Sequence, residues 1–188
     1  MSEDFLGDRR MALEEAFFHK EEEKKLAALR AELDRKRTRE ELRSASGITD
    51  EGILDRLVEL GMSGQTVAAL SLVPLLRVAW ADGKLDEKER DAILQAAQSK
   101  GIEPGSASHA LLDGWLVRKP DASLHDAWAA YVAALSSSLT QEQREHLRDQ
   151  LVGFARRVAE AAGGFLGVGK VSAAEEKALA AIEAAFEA

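Results

Sequence analysis

Four carboxylates lie close together where an apolar segment of the sequence meets a strongly charged one, at residues 80 to 89. They are Asp82, Asp86, Glu87 and Glu89. Carboxylate oxygens are the ligands that calcium and magnesium prefer in proteins. These four residues are therefore the candidate metal ligands of the chain, and calcium or magnesium is its one candidate cofactor.

The spacing of these acids matches part of an EF-hand loop. Asp82, Asp86 and Glu89 fit later ligand positions of such a loop. Its first and third positions would be Val78 and Trp80, which offer no side-chain oxygen. The spacing therefore excludes a complete calcium cage and favours an open site that binds the cation weakly.

A phosphate-binding loop pattern near the C-terminus is incomplete. Gly164, Gly169 and Lys170 have the spacing of a P-loop, but Val171 stands where a hydroxyl should hold magnesium. A helix, not a strand, is predicted before it. The glycines are therefore interpreted as a chain turn, and nucleotide hydrolysis is not predicted.

The histidines form no recognisable catalytic pattern. They are His19, His109, His125 and His146. None lies in a zinc-protease motif or beside a motif serine. We expect surface or capping roles for all four, and we do not expect an enzyme.

Composition limits the partners. The 188 residues are 46% hydrophobic, enough for one core, and carry a formal charge of -8. Residues 8 to 43 are almost neutral, with 11 basic and 10 acidic side chains, so the excess acid lies in the remainder. An acidic surface repels phosphate backbones, so nucleic acid is not an expected partner, whereas cations or basic protein surfaces are.

Nothing in the sequence predicts export or membrane insertion. The N-terminus is acidic where a secretory signal is basic. The apolar residues 67 to 76 fall short of the roughly 20 that a membrane span needs. With no cysteine there is no disulfide framework, and we expect a cytoplasmic protein.

The elements that must position the acidic residues are helices. No segment alternates with period two, so we predict an all-α fold of about eight helices. The segment 65 to 81 is apolar on every side except at Arg77, which predicts a central helix. Pro74 lies inside it, so this helix should kink or restart near Val73.

A long charged helix is predicted before this bundle. Residues 8 to 44 contain no Gly or Pro and are rich in strong helix formers. Its sparse apolar residues are Phe17, Phe18, Leu26, Leu29 and Leu33. One interpretation is a solvated helix held by charge pairs. The other is an arm, residues 1 to 46, that binds another protein or a second copy through these side chains, leaving 47 to 188 as a separate domain.

A repeat relates two parts of that domain. Asp82-Gly83-Lys84-Leu85-Asp86 with Glu89 lines up with Val168-Gly169-Lys170-Val171-Ser172 with Glu175, 86 residues later. Each copy carries a capping-box pattern, in which two side chains bind free amides at a helix start. The spacing predicts a compact bundle in which a helix-corner-helix unit is repeated about a pseudo-twofold axis. Only the first copy has Asp82 and Glu87.

The first copy resembles a known family. Ala79-Trp80-Ala81-Asp82-Gly83-Lys84-Leu85-Asp86, with Glu89, is similar to the corner motif of tellurite-resistance TerB-like domains, and the likeness covers about residues 65 to 188. This resemblance implies a bacterial stress-response domain that is all-helical, has no enzymatic activity, and binds metals or partners at an acidic surface. Asp82, Asp86 and Glu89 would supply that surface. Val168 and Ser172 replace acids in the second copy.

A second resemblance lies in the arm. Asp8-Arg9, Ala12, Glu14, Phe17, His19 and Glu21-Glu22 are similar to the N-terminus of the zeta subunit that inhibits alphaproteobacterial ATP synthase. The leading hypothesis is a non-enzymatic interaction protein with a TerB-like domain and a partner-binding arm. Inhibition of a rotary ATP synthase through the N-terminal helix and divalent-cation sensing are the alternatives.

Overall fold

In the computed structural model, the backbone is described for residues 2–162 and 171–187, and the side chains for 17–161 and 171–187. Within these ranges the chain forms α-helices and one 3-10 helix, and no strand. The α-helices are α1 (Ser2–Ser46), α2 (Glu51–Glu59), α3 (Val73–Ala79), α4 (Glu87–Ser99), α5 (Ala107–Val117), α6 (Ala122–Ser138), α7 (Gln141–Ala162) and α8 (Ala173–Ala184). The predicted all-α fold is confirmed.

The chain divides into two compact units, Met1–Glu40 and Glu41–Ala188. The first is helix alone, and its described side chains are exposed or partly exposed. Oppositely charged residues three or four positions apart pair along it, for example Lys24 with Glu21 at 2.8 Å and Arg37 with Asp34 at 3.5 Å. None of the helices in the described ranges is both long and apolar enough to cross a membrane.

The second unit begins inside the last turns of α1. Leu42 is completely buried in its core, and Arg43 forms an ion pair with Glu51 at the start of α2. The backbone carbonyl of Glu41 lies where a side chain on Gly64 would be, only 2.9 Å from the position of its Cβ, so only glycine fits there. The compact unit therefore starts several residues before the boundary at residue 46 that the sequence suggested.

The apolar segment around Pro74 folds as two short helices. A 3-10 helix, Val67–Leu72, leads into α3, and Pro74 lies in the first turn of α3. A proline is tolerated there because the amides of the first turn have no partner within the helix. The predicted restart near Val73 is confirmed, and six of the seven residues of α3 are buried.

Helices α3 and α7 lie at the centre of the second unit. Helix α3 packs against α4, α7 and α8, and α7 packs against α3, α4 and α8. Among these four helices, the contacts are unchanged when α3 is exchanged with α7 and α4 with α8, as a twofold arrangement of two helix-corner-helix units requires. Helix α3 also packs against α6 and the 3-10 helix. Helix α6 adds Trp128, whose ring meets Phe186 edge to face at a centroid distance of 6.4 Å.

Candidate functional site

The corner between α3 and α4 is a tight turn built by Asp82 and Gly83. Gly83 has a φ of 90°, a conformation that residues with a side chain rarely adopt. The Oδ1 atom of Asp82 accepts a hydrogen bond from the backbone N–H of Lys84 at 2.9 Å. Such local bonding to the backbone is typical of aspartate in turns. Asp82, which occurs only in the first copy of the repeat, thus has a structural role in this turn.

Asp86 and Glu89 form the predicted capping box of α4. Oδ1 of Asp86 accepts from the N–H groups of Lys88 and Glu89, at 2.7 and 3.0 Å. In return, Oε2 of Glu89 accepts from the N–H of Asp86 at 3.0 Å. Three of the free amides at the helix start, those of Asp86, Lys88 and Glu89, are thereby satisfied. This prediction is confirmed.

Glu89 also points into the protein, which the sequence did not indicate. Only 4% of its surface is exposed. Burial, together with the negative charges of Asp86, Glu175 and Asp82, raises the pKa of this carboxyl to about 7, against the opposing effect of the hydrogen bond from the backbone N–H of Asp86. Glu89 therefore carries a proton for part of the time near neutral pH.

The second corner repeats this chemistry as far as it is described. Ser172 and Glu175 form the predicted capping box at the start of α8, and Glu175 is also buried. Because the charge of Glu175 reaches Glu89, the two capping glutamates lie near one another at the contact between the repeats. The rest of the second motif, Val168-Gly169-Lys170, and the incomplete P-loop from Gly164 lie outside the described residues.

The four candidate metal ligands are divided between surface and core. Asp82, Asp86 and Glu87 are exposed, whereas Glu89 is buried and its Oε2 is bound to the backbone. In the parts of the chain that are described, no group of three or more His, Asp or Glu side chains could hold a metal ion. Cation binding at this corner stays a prediction.

The large apolar side chains that the structure describes in the first unit are all exposed. The exposed fractions are 61% for Phe17, 65% for Phe18, 53% for Leu26, 53% for Leu29 and 56% for Leu33. With about 100° of rotation per residue, Phe18 and the three leucines fall on one side of the helix and Phe17 on another. We call Phe18, Leu26, Leu29 and Leu33 the arm stripe. The side chains of residues 8 to 16, which carry most of the likeness to the ATP synthase inhibitor, lie outside the described residues.

Three of the histidines have ordinary neighbours on their own helix. His19 lies 3.7 Å from Glu23, His109 lies 3.1 Å from Asp113, and Nε2 of His146 lies 3.0 Å from Gln150. Each of these partners is four residues further along the chain. None of the three is near a nucleophilic side chain in these contacts.

His125 departs from the expected surface role. Its side chain is 13% exposed, its ring lies 5.4 Å from that of Trp128, and its Nε2 has no hydrogen-bond partner in the described residues. Burial, together with the nearby charge of Arg77, lowers its pKa to about 4. Sequence reasoning missed both residues as site candidates, although Arg77 was visible as the single charge in an apolar segment.

No protein-family model, curated protein or solved structure matches the chain. The TerB-like resemblance therefore stays a prediction that rests on the corner motif and its repeat.

Proposed function

We propose that this is a non-enzymatic interaction protein whose N-terminal helix binds another protein through the arm stripe. The observation that carries the proposal is that all four side chains of the stripe are more than half exposed. Isolated apolar residues on a surface need no explanation, but a patch that follows one helix face marks an interaction surface.

The spacing of the stripe indicates the geometry of the partner. Leu26, Leu29 and Leu33 are separated by three and then four residues, as are the apolar positions of a coiled-coil seam. The stripe is short and flanked by charged residues of both signs. A helix of the partner with a matching apolar face and complementary charges is therefore the occupant that fits best.

The second unit supplies the scaffold. The excess of acidic residues lies mainly in this unit, and its corner motif resembles that of TerB-like domains. Both observations support an acidic domain that adds a second, electrostatic contact with a basic surface of the partner. Such a contact would speed association more than it would tighten the complex.

Charge substitutions on the two sides of the same helix test the proposal. We expect Leu29→Glu with Leu33→Glu to weaken partner capture at least about tenfold, because each substitution places a carboxylate in an apolar interface. Ala28→Glu with Ala31→Glu adds the same charge on the opposite side, where the residues are also exposed, and should leave capture unchanged. Glutamate is a good helix former, so both variants should stay helical.

Quantitative pull-down and analytical ultracentrifugation of the three proteins are the measurements. Ultracentrifugation shows whether the captured partner is a second copy of the chain. Equal capture by both double variants would contradict the proposal.

A further inference from the structure

A cavity of about 330 Å³ lies in the second unit, between α3, the N-terminal part of α8 and residues 119 to 125. Its walls are largely apolar and include Val73, Leu76, Trp80, Leu124 and Ala178. The indole N–H of Trp80 is bound to the backbone carbonyl of Trp115 at 3.0 Å, so its polar atom is satisfied elsewhere. The volume lies near the lower end of the roughly 300 to 1,000 Å³ typical of small-molecule sites.

The charged residues at this cavity are mostly basic, against the overall charge of the protein. Arg77, Lys119 and Lys177 line it, and Asp121 is the one acidic residue among the described lining side chains. Asp121 is already engaged as the cap of α6, where its Oδ1 accepts from the N–H of Ser123 at 2.9 Å. In a chain with a net charge of -8, this local excess of positive charge favours an anion.

Two polar side chains that line the cavity have hydrogen-bonding groups without a partner in the described part of the protein. Arg77 forms no ion pair within 4 Å and no hydrogen bond with any residue that the structure describes. Burial lowers its pKa, and the more distant negative charge of Asp126 opposes this effect only in part. The Nε2 atom of His125, which also lines the cavity, is likewise without a partner there. Partly buried polar groups without partners are costly, and an anionic ligand would satisfy the guanidinium. Lys119 differs, because its Nζ donates to the carbonyl of Trp80 at 2.9 Å.

We propose that this cavity binds a small organic anion with an apolar body. Its carboxylate or phosphate group binds Arg77 and Lys177, and its apolar part packs against Leu76 and Trp80. The planar guanidinium of arginine matches either anionic group with two parallel hydrogen bonds. The site is independent of the arm stripe and assigns the second unit a ligand-binding role of its own.

Four eight-carbon probes separate charge from apolar contact in the full-length protein. They are octanoate, octyl phosphate, octan-1-ol and octylammonium, each titrated by calorimetry and by tryptophan fluorescence. We expect saturable binding of octanoate, octyl phosphate or both, and at least about tenfold weaker binding of the alcohol and the cation, since a charge-assisted hydrogen bond is lost. A preference between the two anions identifies the head group.

Substitutions locate the binding. Arg77→Gln and Lys177→Gln should each weaken anion binding about tenfold, and Arg77→Lys should restore part of it. Lys177 is exposed, so its substitution tests the site even where Arg77→Gln does not fold. Lys84→Gln makes the same change of charge at an exposed residue away from the cavity and should bind as the parent does.

Three results would each overturn the proposal. They are no binding of either anion at millimolar concentration, equal binding of octanol, and equal losses in Lys84→Gln and Lys177→Gln.

Discussion

Glu89 caps helix α4, and the same position places its carboxylate in a buried environment that disfavours a negative charge. Its side chain must reach back to the amide of Asp86 to complete the capping box, and this position buries it beside the charge of Glu175. The pattern Asp86-x-x-Glu89 revealed the cap from sequence alone. The burial depends on the packing of distant elements, which brings Glu175 of α8 near Glu89, and a local sequence pattern carries no information about such long-range contacts.

This conflict gives stability a specific pH dependence. Because the pKa of Glu89 rises from 4.5 to about 7 on folding, the folded protein retains a proton that the unfolded chain releases in that interval. The contribution of Glu89 to the free energy of unfolding is therefore fully present below about pH 4.5 and is lost as the pH rises through 7.

We expect Glu89→Gln to remove this dependence. Glutamine closes a capping box as well as glutamate does and does not ionise. As the pH rises from about 5 to about 8, the unfolding free energy of the variant should increase relative to that of the parent protein by on the order of 1 to 3 kcal/mol. Urea denaturation across this range is the measurement. The exposed Glu87→Gln serves as control, and parallel pH profiles for all three proteins would show that the buried carboxyl has no such effect.

At the scale of the helix, the starts of helices were the most predictable features. The boxes at Asp86 and Ser172 form as expected, and Pro74 marks the start of α3. These signals are local, because a cap or a proline acts on amides within one turn. Which face of a helix is buried depends on distant elements, and for this reason the roles of Arg77 and His125 were missed.

The cap of α8 allows a test at this scale. Ser172→Ala removes the hydroxyl that accepts from the N–H of Glu175 and should lower the free energy of unfolding by about 1 kcal/mol. Ser137→Ala is the matched control, because Ser137 is exposed in the last turns of α6, where alanine is the better helix former. Chemical denaturation should show opposite signs for the two substitutions. A neutral Ser172→Ala would mean that this cap contributes nothing to stability.

For the whole molecule, the boundary between the two units could not be read from composition. Residues 41 to 46 continue helix α1 without a break, yet Leu42 belongs to the core of the second unit. The amphipathic pattern changes too little over so few residues to show where burial begins. A partner-binding arm should therefore be delimited at residue 40, and a truncation at 46 would remove part of the core.

The same substitution, leucine to alanine, at two positions of α1 tests this boundary. Leu42→Ala should lower the free energy of unfolding by about 2 to 5 kcal/mol, because it leaves a cavity in a packed core. Leu33→Ala, at a residue that is 56% exposed, should change it by less than about 0.5 kcal/mol. Thermal and urea unfolding of both variants provide the comparison. Similar small losses for both would place Leu42 outside the cooperative unit.

Trp80 belongs both to the corner between α3 and α4 and to the wall of the cavity. Its backbone begins the acidic corner, while its ring is part of the cavity wall and its carbonyl binds Lys119. A ligand that moves the backbone of Trp80, and not its ring alone, would therefore also move the residues next to Asp82. We therefore expect protonation or cation binding at the corner to change the affinity of the cavity for an anion. Because linkage between two sites is reciprocal, the bound anion should change the affinity of the corner for protons or cations by the same factor.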